Sequence, residues 1–71
     1  MNVTLKEPWA TGFDTDGPQS FHVIADGQSY RVYRNGNVRI KVCIRGRLPV
    51  WRFLPRDAVK RAVLHRHCYG G

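Results

Sequence analysis

The 71-residue chain lacks the features on which membrane insertion and disulfide cross-linking depend. It has no apolar run near the roughly 20 residues that a membrane span needs, and no charged segment followed by an apolar leader. Its two cysteines, Cys43 and Cys68, are far apart and have no framework spacing, so we expect reduced thiols. These absences predict a cytoplasmic protein with no membrane partner.

Acidic side chains are scarce, and their scarcity argues against an enzyme. Residues 31–71 contain no acidic pair, and Asp57 is explained by the start of a helix. No glycine-rich phosphate loop follows a strand, and no Cys/His set has a third orienting group at recognisable spacing. We predict one non-enzymatic domain with no catalytic residue and no cofactor.

Potential metal ligands occur near the C terminus. Histidine and cysteine bind zinc, and the candidates are His65, His67 and Cys68, together with Cys43 if the fold brings it close to them. The His-x-His-Cys order lacks the paired spacing of zinc modules, so we expect no metal site.

Positive charge is abundant and unevenly distributed. The formal net charge is +7; residues 1–30 carry one basic residue against four acidic ones, whereas residues 31–71 carry eleven against one. This asymmetry predicts one strongly positive surface, of the kind that meets nucleic acid or a nucleic-acid machine. The alternative is a protein that is basic for solubility alone.

The pattern from residue 21 onward predicts strands at 21–24, 29–33, 37–45 and 50–54, and a helix that Pro55 opens. We expect an α+β fold, with a small antiparallel β-meander of three to four strands and one C-terminal α-helix packed on its apolar face. The predicted organisation is an irregular N-terminal arm at 1–20, the meander-plus-helix domain at 21–66 and a flexible tail at 67–71.

The register of the central hairpin follows from keeping its two faces distinct. A two-residue Asn35-Gly36 loop would pair Val32 with Arg39 and mix apolar and basic side chains. A three-residue loop that includes Arg34 instead pairs Val32 with Val38, pairs Tyr30 with Ile40 and sets Arg31 opposite Arg39. We predict this second register, because it separates the faces.

Two further faces are predicted from side-chain spacing. Trp51 and Phe53 share one side of the last strand, which we assign to the core. The inward stripe of the helix is assigned to Ala58, Val59, Ala62 and Val63, while Arg56, Lys60 and Arg61 are expected to face water.

Two basic zones are candidates for nucleic-acid binding. The sheet zone comprises Arg31, Arg39, Lys41 and Arg45. The helix-and-tail zone comprises Arg52, Arg56, Lys60, Arg61, His65, Arg66 and His67, of which Arg61, His65, Arg66 and His67 are the binding candidates. Arginine offers forked donors to phosphate, and a two-stranded ribbon fits the DNA major groove. The helix-and-tail zone, with aromatic groups nearby, suits single-stranded RNA. For both zones the alternative is a solvated face.

The first residues are candidates for partner binding. Val3, Leu5, Lys6 and Trp9 lie in a segment whose apolar side chains are costly to leave in water. The segment either folds back over the core or docks on a partner, and residues 3–6 alternate like a strand that could extend another protein's sheet.

The meander and helix are similar in layout to the three-stranded DNA-binding domains at the N-termini of tyrosine recombinases. That resemblance implies a stand-alone DNA-binding domain of the recombinase arm-binding or excision type. It covers about half of the chain and includes no shared motif.

The whole chain resembles the small RNA-polymerase-binding regulators of lytic bacteriophages that infect Xanthomonas. The likeness lies in the size, the MNVTLKEPW opening, the basic meander and the short basic tail after a single helix. It implies a regulator that binds bacterial RNA polymerase in the host cytoplasm, inhibits initiation and promotes antitermination. We expect the protein to be a monomer. The N-terminal residues would then dock on polymerase, with the basic tail near exiting RNA.

Overall fold

The computed structural model describes residues 2–9 and 19–70 of the chain. In these residues, five antiparallel strands form one sheet in sequence order, followed by one helix. The elements are β1 (Val3–Trp9), β2 (Ser20–Ala25), β3 (Gln28–Tyr33), β4 (Val38–Val42), β5 (Val50–Phe53) and α1 (Val59–Tyr69). The predicted α+β fold is confirmed, with five strands instead of three to four.

Strand β1 is the additional strand, and it corrects the expectation of an irregular arm for residues 3–9. Its backbone pairs with β2 from Val3↔Ala25 to Trp9↔Ser20, with a register shift between Val3 and Leu5. Pro8 counted against a strand at the sequence level. A proline is tolerated here because β1 is at the edge of the sheet. Residues 10–18 of the predicted arm lie outside the described residues.

Two tight turns set the register of the meander. Asp26 and Gly27 both have positive φ, of 51° and 78°, as a two-residue hairpin turn requires. At the next turn Gly36 has φ of 103°, and the amide of Tyr33 donates to the carbonyl of Asn37 at 2.8 Å. The predicted three-residue loop is confirmed, with Val32 opposite Val38 and Arg31 opposite Arg39.

The core lies between the sheet and α1. It consists of six fully buried side chains among the described residues: Val23, Ala25, Tyr30, Val32, Val38 and Leu64. Leu64 is the helix's buried residue, and Cys68 and Tyr69 pack against the same cluster. No helix in the described part of the chain is long and apolar enough to cross a membrane.

The inward face of α1 differs from the predicted stripe. Val59 is 77% exposed, Val63 is 41% exposed, and Ala62 is also exposed. The helix instead turns the positions of Arg61, Leu64, His65, Cys68 and Tyr69 toward the sheet, a spacing of three and four residues. This spacing was not recognised in the sequence because polar residues occupy some of the inward positions. Residues 67–69 belong to the helix, where a flexible tail was predicted.

We predict that Leu64→Ala removes most of the stability of the fold. The leucine is fully buried, so the lost burial and the remaining cavity should cost about 2–5 kcal/mol. A domain of this size has about 3–5 kcal/mol in total. Urea unfolding followed by circular dichroism should show the variant largely unfolded at 25 °C. The control Val59→Ala should lie within about 0.5 kcal/mol of the parent protein, and equal effects would contradict the observed helix face.

Candidate nucleic-acid interface

The sheet face opposite the helix combines basic and aromatic side chains. Residues paired across an antiparallel sheet share a face, so the pairs Arg31↔Arg39, Arg39↔Phe53 and Lys41↔Trp51 define one surface. We call this surface the Arg–aromatic face; it consists of Arg31, Tyr33, Arg39, Lys41, Trp51 and Phe53. The register thus brings three of the four predicted sheet-zone residues together.

Arginine and aromatic groups stack on one another across this face. The guanidinium carbon of Arg39 lies 4.3 Å from the ring centroid of Phe53 and 5.7 Å from that of Tyr33. The guanidinium carbon of Arg31 lies 5.2 Å from the centroid of Trp51. Such contacts are attractive, and they offset the repulsion between the directly opposed Arg31 and Arg39.

The buried Nε of Arg39 has no hydrogen-bond partner within residues 2–9 and 19–70. It lies in a side chain that is already held against two rings. Burying a charged donor without a hydrogen bond is costly unless other interactions compensate for it. The two aromatic contacts offset part of that cost. An anion that approached this face would meet a pre-positioned cation.

The charge on this side of the sheet changes from strand to strand. One cross-strand row runs through Glu7, His22, Arg31, Arg39 and Phe53, from β1 to β5. The row begins with an acid, has two arginines at its centre and ends with an aromatic ring. A phosphate backbone would therefore be repelled at β1 and attracted across β3 to β5.

The sequence-based assignment of Trp51 and Phe53 to the core is wrong. They point away from α1, and Phe53 is 56% exposed. The other side of this strand contains Val50, Arg52 and Leu54. Both faces therefore contain apolar residues, and the alternation alone does not show which face is buried. The signal that sequence reasoning missed was the pair of arginines on β3 and β4, Arg31 and Arg39, for which aromatic partners are suitable.

Arg45 does not join the face, because β4 ends at Val42 and not at residue 45. The chain turns after Ile44, whose carbonyl accepts a hydrogen bond from the amide of Arg47 at 3.0 Å. Gly46 has the positive φ of 79° that this turn uses. Arg45 is exposed in the turn, beyond the end of the paired strand.

Two of the predicted helix-and-tail residues form hydrogen bonds within the fold. Arg61 donates from Nε to the carbonyl of Gly36 at 2.7 Å and from Nη2 to Oδ1 of Asn37 at 3.1 Å. His65 donates from Nε2 to the carbonyl of Arg34 at 3.0 Å. Both side chains attach α1 to the β3–β4 loop, which corrects the expectation that Arg61 faces water.

Arg66 and His67 remain exposed, and they line a shallow cleft with Val3, Val63 and Gly70. The helix covers the apolar side of the sheet, so this cleft does not adjoin the Arg–aromatic face. The structure therefore separates the two predicted basic zones.

The N-terminal candidates lie on β1. Val3 is half-buried and packs against the core cluster, and Leu5 is also half-buried. Lys6 is exposed, with Nζ 5.8 Å from the centroid of the Phe21 ring. The side chain of Trp9 lies outside the described part of the chain.

No group of three metal-binding side chains occurs among the residues that the structure describes. His65 is engaged by a backbone carbonyl, and Cys68 packs against the core. Burial raises the pKa of the Cys68 thiol, and the nearby positive charge of Lys6 opposes this shift to a smaller extent. A thiol in such surroundings favours its protonated form, which binds metal poorly.

Comparisons with known proteins add no relative. No protein-family model matches the chain, and no curated protein or solved structure matches it.

We predict that Arg61→Gln destabilises the fold by about 1–2 kcal/mol, because two charge-assisted hydrogen bonds to the β3–β4 loop are lost. The matched control Arg66→Gln removes the same charge from an exposed position and should change stability by less than about 0.5 kcal/mol. Urea unfolding measures both. If Arg61→Gln is as stable as the parent protein, its role in attaching the helix is wrong.

Proposed function

We propose that this protein is a transcription regulator that binds bacterial RNA polymerase and holds single-stranded nucleic acid, RNA above all, on its Arg–aromatic face. The stacked pairs Arg39–Phe53 and Arg31–Trp51 are the observation that carries the nucleic-acid part. The resemblance to phage regulators supports the polymerase part, with inhibition of initiation and antitermination as its implied outcome.

Single-stranded nucleic acid suits this face because it exposes both of the groups that the face can bind. Arginine attracts the phosphates, while unpaired bases stack on aromatic rings and on guanidinium planes. In a duplex the base faces are hidden, and an exposed phenyl ring such as that of Phe53 has nothing to stack on.

The width of the sheet also disfavours the alternative of a stand-alone DNA-binding domain. Strands are about 4.8 Å apart, so the five strands span about 19 Å between the two edges. The major groove is about 12 Å wide and admits a two-stranded ribbon. This sheet is too wide to enter the groove face-on.

We predict that Phe53→Ala weakens binding of a single-stranded oligouridylate by about 5- to 150-fold, since loss of one base-stacking platform costs about 1–3 kcal/mol. Fluorescence anisotropy at fixed salt measures the affinity. Val59→Ala, which truncates an exposed apolar residue on the helix, is the control and should bind like the parent protein.

Lys41→Gln extends the same titration. Removal of one phosphate contact should reduce the slope of log affinity against log salt by about 0.7 for a single strand. Two results would contradict the proposed face: unchanged affinity in Phe53→Ala, or tighter binding of the parent protein to duplex DNA than to the single strand.

The polymerase contact is proposed for β1, whose outer backbone edge pairs with no other strand among the described residues. This edge can accept an added strand, as the alternation at residues 3–6 suggested. Deleting the segment is a poor test, because β1 is paired with β2 along its length and its loss would disturb the fold. Charge reversal at exposed Lys6 leaves the strand in place.

We predict that immobilised full-length protein retains purified bacterial RNA polymerase, and that Lys6→Glu lowers the retained amount at least several-fold. Arg56→Glu makes the same charge change at an exposed site before the helix and should retain polymerase normally. If the parent protein retains no polymerase, the polymerase part of the proposal fails. The nucleic-acid part is tested separately by the oligouridylate titration.

A further inference from the structure

Exposed apolar side chains are concentrated around β5. Among the described residues, four of the six large hydrophobic side chains that are exposed lie between residues 44 and 53. Leu48 is 85% exposed, Val50 is 43% exposed and Ile44 is 41% exposed, whereas Phe53 points to the Arg–aromatic face. A cluster of this kind on a small protein marks an interaction surface more often than scattered single residues do.

The helix leaves the β5 end of the sheet uncovered. Val50 pairs with Val42 and Arg52 pairs with Ile40, so both lie on the helix side of β5. The helix packs mainly over β3 and β4, and Val50 and Arg52 remain exposed. Strand β5 also pairs with β4 alone among the described strands, which leaves one edge of its backbone unpaired.

The chain segment that contains this edge is basic. Residues 43–56 contain Arg45, Arg47, Arg52 and Arg56 and no acidic residue. All four arginines are exposed. A partner with acidic side chains beside apolar ones would complement both the arginines and the apolar group.

From these observations we infer that β5 binds an extended acidic segment of a partner protein, which adds to the sheet as a further strand. Backbone hydrogen bonds along residues 50–53 would hold the segment, with apolar side chains against Val50 and acidic ones beside Arg52. Pro49 and Pro55 flank the strand and limit the paired stretch to about four residues. The inference stands independently of polymerase binding.

A protein segment is favoured over nucleic acid at this edge because of the aliphatic residues. Their side chains offer neither hydrogen-bond donors for phosphate nor rings on which bases could stack; these residues are Leu48, Val50 and Ile44. Arginine alone would suit either partner, but the aliphatic group is buried only by another apolar surface.

The test is selection from a displayed library of random 12-residue peptides on the immobilised full-length protein. We expect enriched peptides in which an apolar and an acidic residue lie two positions apart, as Val50 and Arg52 do on one side of β5. The best enriched peptide, synthesised and titrated by fluorescence anisotropy, should bind about tenfold more weakly to Val50→Thr and to Arg52→Gln. A tenfold change corresponds to about 1.4 kcal/mol, as expected for the few residues that anchor an interface.

Matched variants exist for both substitutions. Val63→Thr changes a helix valine of similar exposure, 41% against 43%, and Arg66→Gln removes an exposed helix arginine. Both controls should bind the peptide like the parent protein, and thermal melting should confirm that all four variants fold.

Several results would overturn the inference. The first is a selection that enriches no acidic-apolar sequence. The second is an enriched peptide whose affinity is the same for all four variants. The third is displacement of the peptide by oligouridylate together with weaker oligouridylate binding in Val50→Thr. Sedimentation that shows a dimer lost in Val50→Thr would identify a second copy of this chain as the occupant, which also rejects an acidic partner.

Discussion

The pairing of β3 with β4 is the constraint on which the rest of the molecule depends. With Val32 opposite Val38 and Tyr30 opposite Ile40, one side of the hairpin is apolar and faces the helix. The same register sends Arg31 and Arg39 to the other side, directly opposite each other. A shift of one residue would reverse the faces of one strand and place arginine in the core. Gly36, with its positive φ, makes the loop that fixes this register.

Attachment of the helix follows from the same loop. Its carbonyl groups at Arg34 and Gly36 accept hydrogen bonds from His65 and Arg61. A loop that left these carbonyls to solvent would lose two tethers to α1. The basic residues near the C terminus therefore serve two different purposes: some hold the fold together, while Arg66 remains at the surface. A count of positive charges overstates what is available to an anionic partner.

The hairpin was predictable because separation of its faces allowed one register. The sequence pattern was less informative at the two ends of the sheet. Trp51 and Phe53 alternate with other apolar residues, so the orientation of β5 is decided by the arginines of β3 and β4, which are distant in sequence. The helix face was misassigned because Arg61 and His65 occupy inward positions, where apolar residues are expected. Propensity and spacing describe single elements, whereas these outcomes depend on contacts between elements.

Strand β5 connects the two proposed binding surfaces. Trp51 and Phe53 point to the Arg–aromatic face, while Val50 and Arg52 point to the helix side. The outer backbone edge of β5 pairs with no other strand in the described part of the chain. A strand added at that edge would lie about 4.8 Å from β5 and place alternate side chains next to Phe53. Acidic side chains there would repel phosphate, whereas apolar ones would extend the stacking surface. The face that an acidic segment turns toward Phe53 would therefore determine whether protein and nucleic acid bind this molecule together or in competition.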